Sequence, residues 1–141
     1  MTTNLIQRVN VGDALTRSAF ARPDQLAIVD AGVDGDRRWT YAEFDAWVNR
    51  LAHGLLARGY AVGDVLALAS ANSAEFLAVY YACAKTGVVC VPINLGWRPN
   101  EIAYVLDHSR ALFESIESGK DTEPTLRNLA PDLRPAPLLE P

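Results

Sequence analysis

The chain has 141 residues, half of them hydrophobic and 21% charged, with a formal net charge of −4: enough for one globular domain with a real core. The absence of a Lys/Arg cluster argues against nucleic acid or an anionic membrane surface as a partner, and no run approaches the ~20 apolar residues of a membrane span. The opening MTTNLIQRVN lacks the unbroken apolar core of a secretory signal, so a soluble, cytoplasmic protein is expected.

Residues 1–9 read as an arm. A helix is expected from Val11 to about Ala21, capped by Asn10, with Asp13 at its third position and Pro23 beyond its end. Residues 26–29 form a short apolar strand. The segment AGVDGDRR, 31–38, reads as a turn, after which Trp39 opens a new element.

The next helix carries the clearest signals. Thr40 and Glu43 have capping-box spacing, and Trp39 and Phe44 stand where a hydrophobic staple would place them. Phe44, Trp47, Val48, Leu51, Ala52, Leu55 and Leu56 then recur at three and four as one apolar stripe. Gly59 supplies a left-handed stop.

From Gly63 the pattern changes. Residues 65–69 are apolar without alternation, the mark of a strand covered on both faces. Asn72 and Glu75 repeat the cap-and-third-position pattern ahead of a helix to Lys85, whose apolar residues spread nearly all round. Gly87 ends it and 88–91 is a second buried strand, so the two strands and helix make a right-handed parallel βαβ unit. Pro92 marks where the ladder can stop. Pro99 and Glu101 suit the first turn of another helix, with Ile102, Val105 and Leu106 on its buried face. Residues 111–116 suggest a short strand, and five of the eight prolines follow from Pro124 onward. The expected division is an arm at 1–9, a subdomain at 10–113 and a loosely ordered, Pro-rich tail at 114–141.

Motifs for phosphate binding fail on their own terms. Gly54 and Gly59 have the outer spacing of a P-loop, but Tyr60 stands where its lysine belongs. The turn ASANSAE after the first parallel strand has no glycine, which excludes a dinucleotide fingerprint. The helix near Ser73 can bind an anion through free N–H groups, unless Asn72 occupies them. His53 and His108 stand in no metal-ligand spacing, and no nucleophile–base constellation can be assembled. Cys83 and Cys90 read as small buried hydrophobes, a disulfide being chemically possible but not favoured in a reducing cytosol. The chain's own residues yield no catalytic residue and no metal site.

WTYAEF (39–44), RLAHGLLARGYAVGDVLALASANSAEF (50–76) and YYACAKTGVVCVPINLGWRPNEIAYVLDHS (80–109) resemble the opening of ATP-dependent acyl-CoA synthetases, which belong to the adenylate-forming ligases. The family's motifs occur in order as Thr40-Tyr41-Ala42-Glu43-Phe44, Gly59 with Gly63-Asp64, Asn72-Ser73, and Pro92-Ile93-Asn94. The resemblance covers about residues 10 to 110. It implies an α/β fold with a partial parallel sheet and flanking helices, the N-terminal subdomain of such a ligase. The reaction it implies is activation of a fatty acid by ATP to an acyl-adenylate, then acyl transfer to coenzyme A, with Mg²⁺ offsetting phosphate charge.

The family's phosphate loop, ribose-binding acid and adenylation lysine have no counterpart in these 141 residues. Gly96 stands where many relatives carry an arginine, and Arg98, two residues on, is the one residue the resemblance would bring to a coenzyme A phosphate. The reading is therefore of a truncated ligase, a fragment inactive alone. Its expected partner is the missing remainder or a second copy. The alternative is a non-enzymatic interaction module, or a subunit complementing a chain with the missing motifs. The apolar 76–84 helix is where uncovered surface is expected.

Overall fold

Asn10 caps the first helix as its side chain suggests. Its Oδ1 accepts from the Asp13 N–H at 2.9 Å, and Asp13 Oδ2 accepts from the Asn10 N–H at 3.0 Å, closing a capping box ahead of α1, Val11–Ala21. The computed structural model describes residues 10–32 and 35–115. The arm expected at 1–9 and nearly all of the expected tail lie outside them.

After α1 come β1 (Leu26–Asp30) and β2 (Arg37–Thr40), an antiparallel pair. The sequence suggested only a turn over 31–38, so β2 corrects that expectation. Its first residues are two arginines with no apolar alternation, and they pair because carboxylates hold them: Arg37 bonds Asp30 and Glu75, and Arg38 bonds Asp36 at 2.9 Å. The hairpin leads directly into α2 (Tyr41–Ala57). Thr40 Oγ1 accepts from the Glu43 N–H at 3.3 Å, and Glu43 Oε2 accepts from the Thr40 N–H at 2.8 Å. Trp39 stacks on Trp47, and Trp47 meets Phe44 edge-on, so the expected staple runs through a third ring. Phe44, Val48, Leu51, Ala52 and Leu55 are buried. Leu56, assigned to the same stripe, is 50% exposed. At about 100° per residue it lies about 120° round the helix from Phe44, off the buried face.

A second sheet is parallel throughout. It contains β3 (Val65–Ala69), β4 (Val89–Ile93) and β5 (Leu112–Ser115) in the order β4-β3-β5, with α3 (Ala74–Thr86) and α4 (Pro99–Ser109) as the crossovers. The strand expected near 111–116 is present, and it runs two residues into the stretch expected as tail. In the central strand, Leu66, Ala67, Leu68 and Ala69 are all buried. Side-chain alternation sorts them. Leu66, Leu68 and Val88, with the partly buried Cys90, join the core under α2 and α3. Ala67, Ala69 and Ile93, with Val91, face Ile102, Val105 and Leu106 of α4. Helices on opposite faces of one parallel sheet make this α/β, as the sequence implied.

Two boundaries differ from expectation. The cap of α3 is Ser73, whose Oγ accepts from the Phe76 N–H at 3.2 Å, not Asn72. Pro92 does not stop β4: it pairs with Leu68, and Ile93 with Ala69. A proline is tolerated there because β4 is an edge strand among the described residues, so its missing N–H need not face β3.

The three helices on the first face share a polar joint. Lys85 of α3 donates to Thr16 Oγ1 of α1 (2.8 Å) and to Asp45 Oδ1 and Asn49 Oδ1 of α2 (both 2.6 Å). Asp45 also accepts from Thr16 and from Asn49. Gly12 lets α1 close over the lysine: a Cβ there would come within 2.6 Å of the Lys85 side chain and 2.8 Å of its backbone nitrogen.

Candidate functional site

In an open parallel sheet, ligands bind beyond the carboxyl ends of the strands, where the connections part to opposite faces. Here that end carries two described loops: Ser70 to Ser73 after β3, leading to α3, and Asn94 to Arg98 after β4, leading to α4. The loop after β3 leads to one face and the loop after its neighbour β4 to the other, so the described connections part between β3 and β4.

The first loop ends at the N-terminus of α3, the natural seat for an anion. That seat is filled from within. The Ala74 N–H donates to Asp30 Oδ2 at 3.2 Å, and Ser73 takes the Phe76 N–H. Arg37 holds the Asp30 carboxylate from the other side and also grips Glu75, with Nη2 to Oε2 at 2.9 Å. The Ala74 N–H, then the guanidinium, hold the Asp30 carboxyl below its ordinary value, while Arg37 does the same for Glu75. Arg37 is correspondingly harder to deprotonate, because it donates to Glu75 and Asp30. Neither the open donors nor the Asn72 occupancy expected from the sequence is present.

The second loop is built by Asn94. Its Oδ1 accepts from the Gly96 N–H at 2.9 Å and its carbonyl from the Trp97 N–H at 3.1 Å, a side-chain-braced turn. The asparagine of Pro-Ile-Asn thus shapes the turn. A Cβ on Gly96 would stand 3.3 Å from Asn94 Oδ1. Arg98 is exposed at the start of α4, its N–H bonded to Glu101 Oε2 at 2.7 Å, on the loop where a ligand of this sheet end would pass.

A separate cleft of about 560 Å³ lies between β2 and the first half of α2. Its floor is the Trp39–Trp47 stack, with ring centroids 5.5 Å apart, and its rim carries Arg38, Arg50, Glu43 and Glu75. Two cations and two carboxylates give it no preference for charge. Sequence reasoning found the tryptophans as core and missed the cleft, because Arg38 was read as part of a turn and not as a strand facing α2.

His53 is exposed in α2, and His108 stacks on Tyr104 in the last turn of α4. Among the described residues no group of three or more His, Cys, Asp or Glu lies close enough to hold a metal ion, and no helix is long and apolar enough to cross a membrane. With the α3 terminus closed by Asp30 and Ser73, the described residues do not fit a nucleotide triphosphate or its Mg²⁺. At this end of the sheet the exposed Arg98 is what they offer a phosphate, Arg37 being taken up by Asp30 and Glu75.

The fold defines a class before any name does: an α/β domain with helices on both faces of a parallel sheet. The family model for AMP-binding enzymes matches residues 15–135, beyond the 10–110 that the motifs delimit. The long-chain-fatty-acid–CoA ligase FadD13 of Mycobacterium tuberculosis is 40% identical over 100 residues, which are 71% of this chain and 20% of that protein. The medium-chain fatty-acid–CoA ligase of Escherichia coli is 33% identical over 131 residues, 89% of this chain and 23% of that protein. The crystal structure of the N-terminal domain of FACL13 from M. tuberculosis superimposes with a TM-score of 0.79 at 34% identity, covering 90% of this chain and 31% of that one. The chain belongs to the AMP-binding enzyme family, and what it matches is the N-terminal portion of that family's acyl-CoA ligases. It spans about a fifth of the length of the curated relatives named here.

Proposed function

We propose that the chain is the N-terminal scaffold of a cytoplasmic acid–thiol ligase that activates a fatty acid with ATP and passes the acyl group to coenzyme A. The observation that carries this reading is the family match across 15–135, together with the likeness to two fatty-acid–CoA ligases. In this reading the 141 residues supply structure and one flank of the ligand end of the sheet. The groups that hold ATP and Mg²⁺ lie outside the described residues, and the chain alone is inactive. Arg98, on the loop after β4, meets a phosphate of coenzyme A. The partner is the remainder of the ligase, which carries the phosphate loop and pairs with the open edge of the β4-β3-β5 sheet, or a second copy of the chain.

ATP–pyrophosphate exchange with a series of fatty acids tests it. The chain alone is expected to give none, and exchange is expected when a phosphate-loop polypeptide from a relative such as FadD13 is added. Exchange by the chain alone, proportional to protein, would refute inactivity. In the active mixture, Arg98→Ala is expected to raise KM for coenzyme A and leave KM for ATP unchanged. An unchanged KM for coenzyme A removes Arg98 from the site.

A further inference from the structure

Cys83 and Cys90 stand seven residues apart on different elements, yet the fold packs both side chains into one core cluster on the α3 side of the sheet. The reason is periodicity. Ala78, Val79, Ala82 and Cys83 form the stripe of α3 that faces the sheet, and all four are buried. Gly87, left-handed at φ 79°, ends the helix and turns the chain back beneath it, and the Val88 N–H bonds the Cys83 carbonyl at 3.1 Å. Alternation along the following strand then directs Val88 and Cys90 to the α3 side, with Cys90 in register with Leu66 of β3. Cys83 is enclosed, whereas Cys90 is only partly buried, on a strand at the edge of the sheet among the described residues, and can be reached from solvent.

We propose that Cys83 and Cys90 form an oxidisable dithiol, a modification site at which a peroxide converts the pair to an internal disulfide between α3 and β4. The Cys90 thiolate attacks one peroxide oxygen. The O–O bond breaks, hydroxide leaves and takes a proton to become water, and Cys90 carries a sulfenic acid. Cys83 then loses its proton and attacks the Cys90 sulfur. The S–O bond breaks, a second water departs, and the S–S bond forms. Two thiols give up two electrons, one peroxide accepts them, and two waters result.

The roles follow from the surroundings of each sulfur. Cys83 is enclosed, and the neighbouring Cys90 together with burial keeps its proton on. Cys90 lies nearer solvent, and Cys83 beside it draws its thiol below the ordinary value. The member of the pair that solvent reaches is thus the nucleophile and the enclosed member closes the bond. Both serve as core in the reduced protein, and the site does not depend on the ligase reading.

The test treats the full chain with hydrogen peroxide at pH 6.5, where an ordinary thiol is only about 1% thiolate, then alkylates with N-ethylmaleimide under denaturing conditions and reads the intact mass. The wild-type chain is expected to lose about 2 Da and both alkylation sites, remain a single chain, and recover both on reduction. Cys83→Ala is expected to hold Cys90 as a sulfenic acid that dimedone traps, and Cys90→Ala to leave Cys83 unmodified. The cooperative melt of each variant establishes that it is folded. The folded wild type is expected to oxidise faster than the same chain in urea. Four results would overturn the proposal: an unchanged wild-type mass, disulfides only between chains, equal rates in the folded and unfolded states, or oxidation of Cys83 in Cys90→Ala.

Discussion

Lys85 directs its ammonium protons into the protein, to Thr16, Asp45 and Asn49. The ion pair with Asp45 is nearly dry, with side chains 13% and 12% exposed. A buried pair of this kind adds little net stability against an apolar replacement, but losing one partner strands the other. Lys85→Met is therefore expected to destabilise the chain by about 3–5 kcal/mol, and the double replacement Lys85→Met with Asp45→Leu to recover most of that loss. Denaturant midpoints check it; a double variant no more stable than the single would show that packing, not the stranded charge, dominates. Gly12→Ala pushes a methyl group against the lysine's side chain and backbone, and should cost about 1–3 kcal/mol by overpacking. None of this joint was legible in the sequence, where Lys85 only interrupts an apolar run. A contact between residues 69 apart leaves no local periodicity to read.

At the scale of elements, local chemistry carried far. The capping boxes at Asn10 and Thr40, the stop at Gly87 and the proline at the start of α4 stand where their side chains suggested. Thr40→Ala is expected to cost about 1 kcal/mol through the lost cap. Leu55→Ala, at a side chain 1% exposed, should cost about 2–5 kcal/mol. Leu56→Ala, on the wet side of the same helix, should stay within about 0.5 kcal/mol. A urea series in which Leu56→Ala is as damaging as Leu55→Ala would put the buried face elsewhere. The missed element, β2, gives only a weak local strand signal, since it is four residues long, begins on two arginines and is fastened by carboxylates from Asp30, Asp36 and Glu75.

That fastening predicts a pH dependence. The carboxyls of Asp30 and Glu75 are held below their ordinary values of 3.8 and 4.5 in the folded chain. The stability they contribute is complete above those values and lost as pH falls through the lowered folded ones. The difference in denaturant midpoint between wild type and Arg37→Gln should thus be largest near neutrality and shrink as pH falls below about 4. A difference unchanged down to pH 3 would mean that Arg37 acts through packing on Trp39, over which it lies at 5.3 Å.

Over the whole molecule, the sheet order and helix faces decide what stays uncovered. The apolar 76–84 helix, expected to carry the deficit, is buried along one face, at Ala78, Val79, Ala82 and Cys83, and leaves Tyr80 42% exposed. More of the uncovered apolar surface lies at Phe20 of α1 (91%), Val62 (83%) and Tyr104 of α4 (67%). With β4 also an edge strand among the described residues and bearing the half-exposed Val89, the purified chain is expected to bind a hydrophobic dye and to self-associate. Light scattering across a concentration series reads this directly, and a dye-silent monomer at all concentrations would contradict it. The parallel unit was legible because continuous apolar runs and a capped helix are local signals. The candidate site was less so: Arg98 came from resemblance alone, while closure of the α3 terminus by Asp30 depends on a residue 44 positions away.

The central strand has one more consequence, in time rather than space. β3 pairs with β4 after a single helix, but its other neighbour, β5, begins only at Leu112. During synthesis at about 5–20 residues per second, one side of β3 therefore waits a few seconds for its partner. A ribosome stalled before Leu112 would display an apolar, hydrogen-bond-hungry strand to whatever nascent chain or chaperone stood nearby.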